Sequence, residues 1–64
     1  MDCFVYETDN RDIAQKLYDY LRNKSYRREL ISGKKKEYAI YYTIASKNVK
    51  TIDKYIDKLE QAVQ

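Results

Sequence analysis

The spacing of apolar and polar positions along the chain separates helical from extended segments. Residues 2–7 form a short apolar and aromatic run, which favours a strand. Between residues 10 and 22 the large apolar side chains recur every three or four residues, the spacing of one helix face. These positions are Ile13, Leu17, Tyr20 and Leu21. Capping side chains in Thr8-Asp9-Asn10 and a left-handed Asn23 are expected to bound this helix.

A hairpin is predicted in the middle of the chain. Residues 25–31 and 36–45 flank Ser32-Gly33-Lys34-Lys35, where Gly33 can take the positive φ of a tight reversal. The length of the loop decides which residues of the first hairpin strand share a face with Tyr42. A three-residue loop selects Tyr26, Arg28 and Leu30, and a two-residue loop selects Arg27, Glu29 and Ile31. Both registers remain open at this level.

A second amphipathic helix follows the hairpin. Ser46 or Asn48 can cap its start. Its apolar stripe consists of Val49, Ile52, Ile56, Leu59 and Val63. The predicted order is therefore β-α-β-β-α in a single small α+β domain, residues 1–64.

Connection rules convert this order into an architecture. A right-handed crossover through the first helix leaves a slot between strands one and two, and strand three fills it antiparallel to both. We expect a two-layer α+β fold with a three-stranded sheet of order 1-3-2 and two helices on one face. This topology resembles the ferredoxin-like arrangement without its last strand.

Two surfaces of this sheet lack a predicted partner. The outer edge of strand one, with Phe4 and Tyr6, has no Lys or Pro to block pairing, so we expect a homodimer joined through this edge or through the open face. The alternative is a short edge, or one capped by the C-terminus. The second surface is the face of strand three opposite the helices, which a second copy or a partner would cover unless its residues tolerate solvent. Those residues are Ala39, Tyr41, Thr43 and Ala45.

The other alternating set of strand three is expected to form the core. It comprises Tyr38, Ile40, Tyr42 and Ile44. Ile40 and Ile44 are the only large aliphatic side chains of the strand, so this set should face the helices. Tyr41 is then the ring displayed on the other face.

Basic residues are concentrated in one segment. Seven of the thirteen Lys and Arg lie between residues 22 and 36, where Glu29 is the only acidic residue. This segment carries +6, and the remaining six basic and nine acidic residues sum to −3, which gives the net charge of +3. Such segregation favours a local docking surface for an anionic partner.

The composition argues against catalysis and metal binding. The chain has no His to act as a base near neutral pH, and its one Gly cannot form a glycine-rich phosphate loop. The single Cys3 can form neither an internal disulfide nor a zinc site, and we expect it to be a small buried hydrophobe. We predict no enzymatic activity, no cofactor and no metal.

The same features favour a cytoplasmic, intracellular protein. A lone Cys fits a reducing compartment. No apolar run approaches the roughly 20 residues of a membrane span, and Met1-Asp2-Cys3-Phe4 lacks the basic region of a signal peptide. No membrane partner is expected.

Aromatic and basic residues are interleaved around the hairpin, as on surfaces that bind single-stranded nucleic acid. Bases stack on rings while cations neutralise phosphates. The candidate phosphate contacts are Arg27, Arg28, Lys34, Lys35 and Lys36, and the candidate stacking rings are Tyr26 and Tyr41. The alternative is that the lysines only keep the turn solvated.

About ten residues are similar to the RNA recognition motif, which shares the β-α-β-β-α order. Lys36, Tyr38 and Ala39 match its strand-three signature, and Phe4-Val5 echoes that of strand one. The resemblance implies Phe4 and Tyr38 as stacking rings and Lys36 as a phosphate contact. The signature differs at Glu37, Ile40, Tyr41 and Thr43, so no family is assigned.

Two functions fit these patterns. The leading hypothesis is a small non-catalytic binding module that docks on nucleic acid or a nucleoprotein through the basic hairpin. The alternative is a protein-interaction module whose basic surface meets an acidic protein patch. A compact inhibitor of a host nuclease or defence complex, encoded by a virus or mobile element, is one example.

Overall fold

Across residues 1–63, which the structure describes, this computed structural model contains three strands and two α-helices. The strands are β1 (Asp2–Thr8), β2 (Arg27–Ser32) and β3 (Tyr38–Ile44). The helices are α1 (Arg11–Asn23) and α2 (Val49–Ala62), and a short 3-10 turn, Ser46–Asn48, precedes α2. The predicted β-α-β-β-α order is confirmed.

The sheet has the order β1-β3-β2, with β3 antiparallel to both neighbours. Phe4 of β1 and Arg28 of β2 lie opposite Tyr42. One residue along, Val5 lies opposite Tyr41. Because successive side chains of a strand point to opposite faces, these two rows belong to different faces of the sheet. The predicted α+β fold with sheet order 1-3-2 is confirmed.

The core lies between one face of the sheet and the two helices. On β3 its buried members are Ile40, Tyr42 and Ile44, as the sequence predicts, and Tyr38 is partly buried. The helices contribute Ile13, Ala14, Leu17, Leu21, Ile52, Ile56 and Leu59. Burial of each large aliphatic side chain contributes about 1.5–3 kcal/mol. Val63, the last member of the predicted α2 stripe, is instead 54% exposed.

Helix α1 begins where the capping residues predict. The Asn10 side chain accepts a hydrogen bond from the Ile13 backbone N–H at 3.1 Å, which satisfies one free donor of the first turn. The Asn10 backbone N–H in turn donates to the Thr8 hydroxyl at 3.0 Å. These two bonds set the direction in which the chain leaves β1.

The other end of α1 differs from the prediction. Ser25, and not Asn23, has the left-handed conformation, with φ of 61°. The Ser25 and Tyr26 N–H groups donate to the carbonyls of Arg22 and Leu21 at 2.9 and 3.0 Å. This pair of bonds is a Schellman motif, which satisfies the last carbonyls of the helix and turns the chain into β2.

The hairpin loop is longer than either predicted length. It comprises residues 33–37, between the paired residues Ser32 and Tyr38. Its odd length places Arg28 opposite Tyr42, on the helix side of the sheet. The three-residue alternative predicted the same side of the sheet for Arg28. The observed loop has two more residues, and adding a pair of residues does not change the side.

Gly33 is required in this loop for space and not for a positive φ, because no glycine in the described chain has one. A Cβ atom at this position would collide with the Lys36 carbonyl oxygen and with Oε1 of Glu7. The Gly33 N–H also donates to the Glu37 carbonyl at 3.1 Å, which closes the loop. The expectation of a left-handed Gly33 is therefore wrong.

Candidate nucleic-acid interface

The alternation of β2 sends its two neighbouring arginines to opposite faces. Arg27 is exposed on the face opposite the helices. Arg28 lies on the helix side, where Cζ of its guanidinium is 5.4 Å from the centre of the Tyr18 ring. Its Nη1 donates to the Tyr26 carbonyl at 3.3 Å, and its buried Nε has no hydrogen-bond partner in the described chain. The side chains of the two predicted phosphate contacts therefore leave β2 on opposite faces of the sheet, although both residues line one groove at this end of the sheet.

The face of the sheet opposite the helices is called the open face, because no element of residues 1–63 covers it. The strand register arranges its side chains in three rows that run across β1, β3 and β2. The rows are Cys3, Thr43 and Arg27, then Val5, Tyr41 and Glu29, then Glu7, Ala39 and Ile31. Val5 and Ile31 are 51% and 42% exposed. The open face is thus partly apolar.

Arg27 and Tyr41 line the same groove on the open face. Arg27 pairs with Thr43, two residues from Tyr41, so the guanidinium and the ring are diagonal neighbours, the spacing at which long side chains meet. The Tyr41 ring is partly exposed. Glu29 lies directly opposite Tyr41 and is the acidic member of this groove.

Cys3 also lines this groove and is exposed. The expectation that it would be buried is therefore wrong. Phe4 takes the core side of β1, and alternation then places Cys3 on the open face.

The lysine loop, residues 33–37, lies at the opposite end of the hairpin and displays the side chains of Lys34–Lys36. The backbone N–H groups of Lys34, Lys35 and Lys36 donate to Oε1 of Glu7 at 2.9, 3.2 and 3.4 Å. The Glu37 N–H donates to Oδ1 of Asp9 at 2.8 Å. Two carboxylates from the end of β1 therefore fasten the lysine loop.

These hydrogen bonds lower the pKa of Glu7 from its ordinary value of 4.5. The Lys35 N–H is the largest cause, and partial desolvation of the carboxylate opposes it. The N–H groups of Lys36 and Lys34 and the positive charge of Lys35 add to the lowering. Glu7 is consequently ionised at neutral pH and places a negative charge within the basic loop.

The antiparallel layout divides the charges between two halves of the molecule, because each strand and helix runs from one end to the other. The basic half comprises residues 1–3, 18–28 and 43–54, with seven Lys and Arg against three carboxylates, net +4. The neutral half comprises residues 6–16, 31–38 and 57–63, with six Lys and Arg against six carboxylates. The lysine loop lies in the neutral half. The excess positive charge lies at the other end, around the start of β2.

The remaining aromatic candidates face the core. Tyr26 is partly buried against it, and Phe4 stacks on Tyr42 with ring centres 5.7 Å apart. Tyr38 also packs against the core, so neither ring implied by the likeness to the RNA recognition motif is displayed on the open face. Tyr41 is the predicted stacking ring that the open face carries.

The proposed dimer edge is the outer edge of β1, and it offers backbone groups to a partner more than side chains. Phe4 and Tyr6 are partly buried against the core on the helix side of β1. The Tyr6 hydroxyl donates to Oε2 of Glu60 at 2.6 Å, which ties β1 to α2. Burial and this hydrogen bond raise the pKa of Tyr6 from 10.0 to about 12. The outer edge of β1 has no strand beside it among residues 1–63.

Sequence reasoning missed three features of the interface. Glu7 and Asp9 were not connected with the lysine loop, because their partners lie 28 or so positions away along the chain. The exposure of Cys3 was missed as well. The alternation of side chains along β1 could have revealed both Cys3 and Glu7. If Phe4 and Tyr6 face the core, Cys3, Val5 and Glu7 lie together on the other face.

From residue 1 to 63, no group of three or more His, Cys, Asp or Glu side chains is arranged to hold a metal ion. In the same range neither helix combines the length and apolar character needed to cross a membrane. No protein-family model matches the chain, and comparisons with curated proteins and with solved structures found no match either.

Proposed function

We propose that the chain is a small non-catalytic module that binds single-stranded nucleic acid, free or within a nucleoprotein, through its basic hairpin. One observation carries the proposal. Arg27 and Tyr41, from the two strands of the hairpin, line one groove on the open face, and Cys3, Arg27 and Thr43 of this groove belong to the basic half of the molecule. A displayed ring beside a cation is the pairing that single strands require.

Three residues have distinct roles in this proposal. The Tyr41 ring stacks a base, an interaction worth about 1–3 kcal/mol. Arg27 contacts a phosphate next to that base. Arg28 packs over Tyr18 and strengthens the positive potential of the basic half.

The lysine loop makes the weaker contribution. Lys34–Lys36 are exposed and can contact phosphates further along a bound strand. Glu7, Asp9 and Glu37 lie among them, however, and offset their three charges. The arginine side of the hairpin should therefore dominate the affinity.

Filter binding to single-stranded and double-stranded DNA and RNA at rising salt tests the proposal. We expect Arg27→Ala to reduce the slope of log K against log salt by about 0.7 for a single strand. Arg11→Ala removes the same charge from the neutral half and should change the slope less. Tyr41→Ala should weaken binding, and Tyr41→Phe, which keeps the ring, should not. Affinity weaker than about 100 μM at about 50 mM salt would rule the proposal out.

The accessibility of Cys3 provides a second, independent readout. Its thiol lies in the same groove as Arg27 and Tyr41, so a strand bound there should slow its alkylation in proportion to occupancy. An alkylation rate that does not change at saturating oligonucleotide would exclude the open face as the binding surface.

A second candidate function is a protein-interaction module, and the apolar character of the open face favours it. Val5 and Ile31 are half exposed on either side of β3, where a protein partner could cover them. In this case the basic half meets an acidic protein patch, as in a compact viral or mobile-element inhibitor of a host nuclease or defence complex. Partners that survive nuclease treatment of a lysate pull-down, and are lost with Val5→Ser and Ile31→Ser, would favour this function.

We also propose that the chain forms a homodimer through β1 or the open face; the second arrangement would cover the groove and exclude a strand bound there. β1 is an edge strand without Lys or Pro in the described chain, and such an edge offers free backbone groups to a second strand. Sedimentation at micromolar concentration should show twice the mass of the 7.8 kDa chain. A species of monomer mass alone would contradict this proposal.

A further inference from the structure

The lysine loop already holds an anion, the carboxylate of Glu7. Three backbone N–H groups in succession, those of Lys34, Lys35 and Lys36, point at one oxygen atom at 2.9, 3.2 and 3.4 Å. Successive N–H groups aimed at one point in a turn form an anion-binding concavity. The oxygen belongs to β1 and not to the loop, so the concavity is filled from outside.

The shape of the loop is maintained by contacts that do not involve Glu7. The Gly33 N–H donates to the Glu37 carbonyl at 3.1 Å, and the Glu37 N–H donates to Asp9 at 2.8 Å. Gly33 also keeps open the space that a Cβ atom would occupy against the Lys36 carbonyl. The concavity should therefore persist when the Glu7 carboxylate is absent.

The charges around the concavity suit an anion with more charge than a carboxylate. In residues 1–63 the one ion pair closer than 4.0 Å joins Arg22 and Asp19, so the lysine ammonium groups form no direct pair with Glu7. A phosphate carries up to two negative charges and more acceptor oxygens than one carboxylate. It can bind the three N–H groups and the surrounding ammonium groups together.

We infer that the lysine loop is a phosphate-binding site that Glu7 occupies in the free protein. A phosphate group binds there by displacing the Glu7 carboxylate, so Glu7 lowers the affinity of the site. This inference rests on the geometry of the lysine loop alone, whereas the proposed nucleic-acid binding, to which the loop adds a weaker contact, depends mainly on the open face.

Amide NMR during titration with inorganic phosphate tests the inference. Glu7→Ala vacates the concavity, and we expect saturable shifts of the Lys34–Lys36 amides with an affinity at least about tenfold above that of the unsubstituted protein. Asp57→Ala removes one negative charge from the same half of the molecule without touching the loop. It should leave the affinity within about threefold of the unsubstituted protein.

Three outcomes would overturn the inference. The first is a folded Glu7→Ala variant whose loop amides show no saturable response to phosphate. The second is equal affinity with and without Glu7, which would mean that the carboxylate does not compete. The third is a Glu7→Ala variant in which the loop amides lose their dispersed signals even at saturating phosphate, because the inferred site is built without Glu7.

A double variant tests whether the backbone or only the lysine side chains bind the anion. Adding Gly33→Ala to Glu7→Ala places a methyl group against the Lys36 carbonyl oxygen, so the loop backbone must shift out of its N–H arrangement and the saturable response should be lost. Persistence of the full response would show that the ammonium groups alone bind phosphate, and would overturn the inferred site.

Two ligands separate the sources of the phosphate group. A short oligonucleotide without terminal phosphates that shifts the loop amides of Glu7→Ala as inorganic phosphate does would support phosphodiesters as the ligand. A response to inorganic phosphate alone would support a free or terminal phosphate. Failure of the Arg27→Ala filter-binding test would remove the proposed function and leave these results untouched.

Discussion

Single residues carry the unusual backbone and electrostatic features of this fold. Ser25 takes the left-handed conformation that ends α1, with φ of 61°. A residue with a Cβ atom pays roughly 1–2 kcal/mol for that conformation. The Schellman bonds from Ser25 and Tyr26 stabilise the turn despite this strain.

Replacing Ser25 by Gly should therefore stabilise the protein. The relief of strain exceeds the extra entropy that Gly loses on folding, and the expected gain is about 0.5–1 kcal/mol in the free energy of unfolding. Urea unfolding of Ser25→Gly measures it. Ser32→Gly, within β2, serves as the control and should destabilise the protein. A loss of stability in Ser25→Gly would contradict the interpretation of the turn.

Glu7 should make stability depend on pH in the acid range. Its folded pKa lies below its ordinary value of 4.5, so its contribution is fully present above that value and is lost as the pH falls through the folded pKa. Urea unfolding at a series of acid pH values should give a flatter profile for Glu7→Gln than for the unsubstituted protein. Identical profiles for Glu7→Gln and the unsubstituted protein would contradict the loop contacts.

At the scale of elements, the alternation of side chains along β2 gives Arg27 and Arg28 different surroundings. Arg27 extends over the open face, whereas Arg28 packs over Tyr18 and donates to the Tyr26 carbonyl. The side chain of Arg28 therefore belongs partly to the packing of α1 against the sheet.

The two arginines should separate binding from stability when each is replaced by Ala. Arg28→Ala should lower the free energy of unfolding by about 1 kcal/mol, through lost cation–π and packing contacts. Arg27→Ala should change it by less than about 0.5 kcal/mol, as surface substitutions usually do, and should weaken nucleic-acid binding more. Urea unfolding and filter binding of the two variants give the comparison. Equal effects in both assays would contradict the alternation described for β2.

The order of the elements could be predicted because each has a clear period and recognisable boundaries. Ile13, Leu17 and Leu21 mark one helix face, and Asn10 supplies its cap. In β3, Ile40 and Ile44 identify the buried side. A right-handed crossover that leaves room for one strand between β1 and β2 then leads to the observed sheet order.

The facing of β2 and the fastening of the lysine loop could not be predicted. β2 offers an aliphatic side chain to either face, Leu30 or Ile31, so hydrophobic pattern does not choose the register. The bonds from the loop to Glu7 join backbone groups to a carboxylate 27 to 29 residues earlier. No local pattern in a sequence reports such a contact.

At the scale of the whole molecule, the net positive charge lies in one half, a distribution that differs from the order of charges along the chain. Read along the chain, residues 22–36 form one basic segment. The fold separates its two parts, because β2 carries the chain away from Arg22 and Lys24 before the lysine loop begins. The carboxylates of β1 then offset the loop, which leaves the net positive charge at the other end.

Matched charge removal at the two ends should therefore have unequal effects. Replacing Lys24, Lys47 and Lys50 with Gln removes three charges from the basic half, and replacing Lys34, Lys35 and Lys36 removes three from the neutral half. We expect the first variant to lose more affinity for single-stranded nucleic acid and to show the shallower salt dependence in filter binding. Equal losses would indicate that net charge alone governs binding. A larger loss from the second variant would shift the interface to the lysine loop.

The odd length of the hairpin loop has a consequence for how this chain can change. Deleting or inserting one residue between Ser32 and Tyr38 would exchange the two sides of β2, sending Arg27 toward the helices and Arg28 toward solvent. Adding or removing a pair would preserve the sides. The number of residues in this loop should therefore stay odd, whereas its exact length matters less. Deleting one codon should be less well tolerated than deleting two.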